Sequence, residues 1–216
     1  VSGFRDEPLG RFLELVASEE PTPSGGSVAA GSAAAATAAL AAALVAMVGR
    51  LSSKQLDDSP AIVADADGLL RQALALADED AAVYGEVRAA YALPKEVDPE
   101  GRRRRIRQTL ERATEVPLDI THVASQLAVL ASRLVEHGNP NLEGDAVTAV
   151  LLARAAAQAS ATLVELNVRT GKLDGDWLDR SATYLAMAGT ASPTRTADET
   201  DIATGGSRPR PGVGPP

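Results

Sequence analysis

The chain has 216 residues, a formal net charge of −8 at pH 7 and no cysteine. The acidic balance leaves no dominant basic face and argues against nucleic acid as a partner, and the missing cysteines exclude disulfides and thiolate metal sites. With two Phe, three Tyr and one Trp against abundant alanine, the core has to come from aliphatic side chains and close backbone contact.

The length suits one domain with a tail. The N-terminus, "VSGFRDEPLGRFLELV", carries acids early and no long apolar run before Glu14, so it does not read as a signal peptide. With the cysteine count, a cytoplasmic protein is expected. Nearly every segment has helical period and no period-2 strand stands out. The expected fold is all-α: a single-domain bundle of about six helices, with helices near 8–18, 26–51, 61–91, 101–137, 144–170 and 175–189.

The stretch from Pro21 to Gly49, "PTPSGGSVAAGSAAAATAALAAALVAMVG", holds no charge. Its length would cross a membrane, but its few large apolar residues contribute only roughly −2 to −3.5 kcal/mol of insertion free energy, and no aromatic belt flanks them. No membrane partner is expected. Alanine is the best helix former, and a helix of small residues lets neighbouring backbones come close. It is expected at the centre of the bundle, covered on every side, with a second subunit completing the cover. At its front, Ser24 or Ser27 can cap the helix. Gly25 and Gly26 permit a tight turn, and the free N–H groups of a helix start favour an anion or a polarised carbonyl. A plain cap and turn would look the same. No Gly-Lys-Ser/Thr follows, so this is not a phosphate-binding loop of the Walker type.

In the next helix the apolar stripe runs Leu69, Ala73, Leu76, Asp80, Val83/Tyr84 and Val87. Asp80 falls where an apolar residue is expected, and a buried carboxylate is expensive unless paired or hydrogen-bonded. It is either a structural cap onto a neighbouring helix or a chemical group. "LPKEVDPEGR" reads as a loop broken by Pro94 and Pro99, followed by a basic run at Arg102–Arg105 that reads first as a solvated helix start. Pro117 is expected to kink or split its helix. His122 and His137 have no acidic partner at metal-ligand spacing, and no Glu-x-x-His pair is present. No metal is expected.

"EHGNPNLEGD" reads as a loop whose Asn139 and Asn141 either hold a ligand or shape the turn. The last long helix repeats the earlier pattern: Asp145, Ala149, Leu152, Ala156, Ser160, Leu163 and Asn167 share one face. Asp145 at the helix start also suits an N-cap. From Ser192 the composition turns to Pro, Gly and polar residues, which places a domain over 1–191 and a disordered tail over 192–216.

Several of these segments, taken in order, resemble the cyclodeaminase/cyclohydrolase family, whose members are the cyclodeaminase part of formiminotransferase-cyclodeaminase and the free-standing methenyltetrahydrofolate cyclohydrolases. They are "FLELVASEEPTPSGGSVAAGSAAAATAALAAALVAMVG", "DEDAAVYGEVRAAYALPK", "ATEVPLDI", "GNPNLEGDAVTAVLLARAA" and "LNV". The resemblance covers about residues 9–190. It implies an all-α homodimer with a reduced-folate site near the subunit interface, acting on 5,10-methenyltetrahydrofolate and using no cofactor beyond that substrate. Asp145 and Asp80 are the expected acid/base or electrostatic groups, with Lys54 behind them. Ser24, Gly25, Gly26, Ser27, Asn139 and Asn167 would position the ligand. The chain departs from the family in two places. "GRLSSKQLDDSP" is short and lacks an aromatic, and Leu163 stands where the family pattern has asparagine. Those departures keep a second reading open, a small-molecule-binding dimer that is non-catalytic or has another substrate.

Overall fold

The computed structural model describes residues 7–18 and 29–195. Among them the chain forms six α-helices and one short 3-10 helix, and no strand. The helices are α1 (Leu9–Ala17), α2 (Ala29–Arg50), α3 (Ser59–Ala92), α4 (Pro99–His137), α5 (Glu143–Gly171) and α6 (Trp177–Thr190), with the 3-10 helix at Pro140–Leu142 between α4 and α5. Pairings along the helices fix their directions. Ser59 Oγ donates to the Gly49 carbonyl and Ser32 Oγ to the Ala77 carbonyl, so α2 and α3 are antiparallel. Arg112 pairs with Glu86 and Arg133 with Asp58, which makes α4 antiparallel to α3. Asn167 reaches Ala113 across α5 and α4, and the His122 ring stacks on Tyr184 at 4.4 Å across α4 and α6. Helices α2 to α6 therefore run up and down in turn.

Small residues set how closely these helices pack. Ala35, Ala38, Ala41 and Ala42 of α2 are completely buried. The large side chains filling the space beside them come mainly from α4: Ile120, Val123, Leu127, Leu134 and Val135 belong to the same core. A Cβ on Gly49 would press on Val63 of α3, so that crossing depends on the missing side chain. The cover on α2 is incomplete, however. Ala36, Leu44 and Met47 are half-buried, Ala43 is exposed and Leu40 is 56% exposed. The expectation of cover on every side is met on the faces toward α3, α4 and α5 and leaves this stripe open. Both α2 and the stretch Pro140–Gly171 are long and apolar enough to cross a membrane by length and composition; 61% of the α2 window is buried inside the fold.

Three local expectations are corrected. Pro99 begins α4 instead of breaking the chain before it: proline fits the first helical turn, where its missing N–H has no partner to lose, and Asp98 caps that turn by accepting the Gly101 N–H at 2.8 Å. Pro60 lies in the first turn of α3 in the same way. Second, α4 is not split at Pro117. It runs unbroken through the proline. Pro117 has no N–H for the Ala113 carbonyl, and Asn167 Nδ2 donates to that carbonyl at 2.6 Å instead. Third, Asp145 is not the cap of α5. The 3-10 turn leads in through Leu142, and Asp145 lies inside the first turn, where a carboxylate still favours the helix dipole. Past α6, Ser192 N–H donates to Ser132 Oγ at 2.9 Å, so the chain just beyond Ala191 still rests on α4.

Candidate active site

At the end of the bundle where α2 begins, residues of α2, α3, α4 and α5 line a cavity of about 420 Å³. Helix α2 contributes Ala30 and Gly31, α3 contributes Asp80, Val83, Tyr84, Val87 and Tyr91, and α5 contributes Leu163, Asn167 and Thr170. Ala113, Val116 and Pro117 of α4 form much of the rest. Such a cleft falls within the roughly 300–1,000 Å³ of small-molecule sites, with a mainly apolar wall and few polar groups.

Among the described residues of that wall, Asp80 alone carries a charge. Its Oδ2 accepts from Ser32 Oγ at 3.2 Å. Burial pushes its carboxyl up to about 6, against the opposing pull of two hydrogen bonds from Ser32, one from the side chain and one from the backbone. The backbone bond comes from Ser32, the fourth residue of α2. Asp80 is thus at once the cap that sequence allows and an acid able to change protonation near neutrality. Tyr84 follows one turn later on the same face. Asn167 is committed through Nδ2 to Ala113, which leaves Oδ1 as its acceptor for a ligand N–H. Leu163 lies one turn from Asn167 in the same wall.

The other expected site residues fall elsewhere. Ser24, Gly25, Gly26 and Ser27 lie outside the described residues. Asn139 lies at the opposite end of the bundle, beside the C-terminus of α2. Its Nδ2 donates to the Leu51 carbonyl at 3.1 Å and its Oδ1 accepts the Asn141 N–H at 3.1 Å. Each end of the amide makes one bond that shapes the turn. Lys54 follows in the turn after Leu51 and is exposed. Asp145 is half-buried at the start of α5. At 1.5 Å per residue, the 18 residues from Asp145 to Leu163 span about 27 Å. Asp80 and Asn167 therefore share a site, while Asp145, Asn139 and Lys54 of the same chain do not reach it. The shared face of α5 is real, but a helix face is as long as the bundle.

A larger, shallower groove of about 700 Å³ runs between α3 and α6 over α4, past Asp65, Gln72, His122 and Gln126. Nearby, Asp119 is raised by burial first and by Glu115 next, with Arg180 and His122 opposing. The Asp80 cavity is smaller but deeper, and it gathers the perturbed acid, the tyrosines and the amide; we assign the site there on chemistry rather than size.

The sequence profile of the formiminotransferase-cyclodeaminase family matches residues 8–182. The chain belongs to this family. It is 35% identical over 167 residues to the methenyltetrahydrofolate cyclohydrolase of Methylorubrum extorquens, covering 76% of this chain and 80% of that one. Its fold superposes on the crystal structure of formiminotetrahydrofolate cyclodeaminase from Thermotoga maritima with a TM-score of 0.74 and 26% identity, over 86% of this chain and 92% of the other. The resemblance read from the ordered sequence motifs holds. Sequence reasoning had missed Gly31, Ser32, Tyr84 and Tyr91. The tyrosines were discoverable, because so few aromatics occur and Tyr84 lies on the Asp80 stripe. Nothing marked Gly31 and Ser32 in a helix made of small residues.

Proposed function

We infer that the chain is an enzyme of one-carbon folate metabolism that forms or opens 5,10-methenyltetrahydrofolate, as a methenyltetrahydrofolate cyclohydrolase or a formiminotetrahydrofolate cyclodeaminase. Family membership gives the substrate class. Asp80, half-buried in the wall of a cavity of ligand size with its carboxyl pushed up to about 6 by burial, is the observation that carries the chemistry. In the hydrolytic direction, water adds to the cationic methenyl carbon. The Asp80 carboxylate stabilises that cation and takes a proton from the attacking water, and the protonated acid then serves the nitrogen that leaves the tetrahedral carbon. In the deaminating direction, the exocyclic N10 attacks the formimino carbon carried on N5, its N–H proton passes to the same base, and that proton is returned to the nitrogen that leaves as ammonia. Neither route calls for a metal. Asn167 Oδ1 and the tyrosines orient the ligand.

The homodimer completes this reading. The open stripe on α2 continues into an apolar groove lined by Leu9 and Phe12 of α1, Leu40 of α2 and Leu70 and Leu74 of α3. A largely apolar face of this kind, with Glu7 its one charged residue among those described, suits a second copy. An antiparallel pairing along α2 would lay the Lys54, Asn139 and Asp145 end of one subunit beside the Asp80 cavity of its partner. Asp145 and Lys54 keep a role in that arrangement, as groups supplied across the interface.

The absorbance of methenyltetrahydrofolate tests the activity. Faster loss of supplied methenyltetrahydrofolate marks the cyclohydrolase, and faster appearance from 5-formiminotetrahydrofolate marks the cyclodeaminase. No change in either, with folded protein, contradicts both. Leu163 in the cavity wall supports a second reading, an altered substrate or binding without turnover. That reading predicts that Leu163→Asn gains folate turnover which the unchanged chain lacks.

A further inference from the structure

The Asp80 carboxyl rests against the first turn of α2, and the two residues that receive it are unusual in complementary ways. A Cβ on Gly31 would overlap the carboxyl group itself, so only glycine lets the acid reach the helix backbone there. Ser32 is fully buried, and its Oγ lies 2.9 Å from the Ala77 carbonyl and 3.2 Å from Asp80 Oδ2. A hydroxyl has one proton to donate and lone pairs to accept with, so it cannot donate to both at once. With Asp80 ionised, Ser32 donates to the carboxylate. With Asp80 protonated, the acid O–H donates to Ser32 Oγ and the serine proton turns to the Ala77 carbonyl. Each arrangement uses the same heavy-atom positions, and the proton of the serine alone changes direction.

We propose that Gly31 and Ser32 are positioning residues for catalysis: together they hold the Asp80 carboxyl in one place in both its charged and its neutral form, so that one acid can take a proton early in the reaction and return it later. This rests on the assignment of Asp80 as the acid/base group. Among the described residues, those of α2 and α5 that line the cavity carry no titratable side chain. On α3, Glu79 and Glu86 pair with Arg112 of α4 at 3.8 and 2.9 Å, and the remaining titratable groups facing the cavity are Tyr84 and Tyr91. Both Ser32 bonds lower the Asp80 pKa against the larger effect of burial, so removing the hydroxyl moves the group further up.

The test is the pH profile of methenyltetrahydrofolate turnover by the full chain, with Ser32→Ala, Ser32→Thr, Gly31→Ala and Asp80→Asn, alongside the Asp80 carboxyl titration followed by carbon NMR. Ser32→Ala is expected to lower kcat about 10- to 100-fold, to move the acidic limb and the Asp80 titration to higher pH, and to change KM little. Ser32→Thr restores both. Gly31→Ala lowers kcat by displacing the carboxyl. A Ser32→Ala enzyme with an unmoved pH limb and an unmoved Asp80 titration overturns the proposal, even where its rate falls, since a structural role alone would give that. If Asp80→Asn is inactive while the Ser32 and Gly31 variants behave as wild type, this inference fails and the site assignment stands. If Asp80→Asn retains full activity, the assignment itself is at fault.

Discussion

Burial holds the Asp80 carboxyl near 6, above the 3.8 of an unperturbed aspartate. In the pH window between those values the folded chain binds more protons than the unfolded one, so stability contributed by this group is fully present below about 3.8 and is lost as pH rises through 6. Asp80→Asn removes the charge that burial penalises. It is expected to raise the melting temperature at pH 7–8, by an effect on the order of 1–2 kcal/mol once partial exposure is allowed for, with the difference shrinking toward pH 4. Thermal melts across that range check it; an equal loss of stability at both ends would contradict it. The sequence made Asp80 legible because a carboxylate interrupted an apolar stripe. Gly31 and Ser32 stayed invisible because their importance comes from Asp80, 48 residues beyond Ser32 and across a helix contact.

Helix α4 illustrates what a single element hides. Pro117 announced a kink, and the sequence held no sign that Asn167, 50 residues on, donates to the carbonyl the proline leaves open. Breaks in regular structure are visible locally, whereas the group that repairs them is set by packing. The same applies to Pro99, which reads as a breaker but starts a helix. Asn167→Ala is expected to cost about 1–3 kcal/mol, because it strands the Ala113 carbonyl. In a Pro117→Ala background the restored backbone N–H satisfies that carbonyl, and the cost of losing Asn167 should fall by about 1 kcal/mol or more. Urea unfolding of the two single variants and the double variant measures the coupling. Additive effects would show that the carbonyl does not link the two residues.

Across the whole molecule, the helical bundle was readable from period and composition, since six amphipathic or small-residue segments with short connections have few ways to pack. The site was readable only in part. Periodicity put Asp145 and Asn167 on one face of α5, but their spacing at about 1.5 Å per residue places them at opposite ends of the bundle. A dimer that joins the two ends makes a specific prediction. Asp145→Asn and Asp80→Asn homodimers should each be poorly active, and unfolding and refolding them together should restore activity, approaching about a quarter of wild type, since half of randomly formed dimers pair unlike subunits and each keeps one intact site. No recovery in mixtures shown by sedimentation to be dimeric would place Asp145 outside the site or within one subunit's own chemistry.

The most direct measurement is the rate at which the purified full chain and its Asp80→Asn variant consume 5,10-methenyltetrahydrofolate at pH 7, followed by absorbance. We expect the unchanged chain to accelerate the reaction well beyond the uncatalysed rate, and the variant, folded and still able to bind the substrate, to lose about 100-fold or more of that kcat. An Asp80→Asn enzyme turning over at the wild-type rate would contradict the assignment of this acid, and with it the cavity as the place where the chemistry happens.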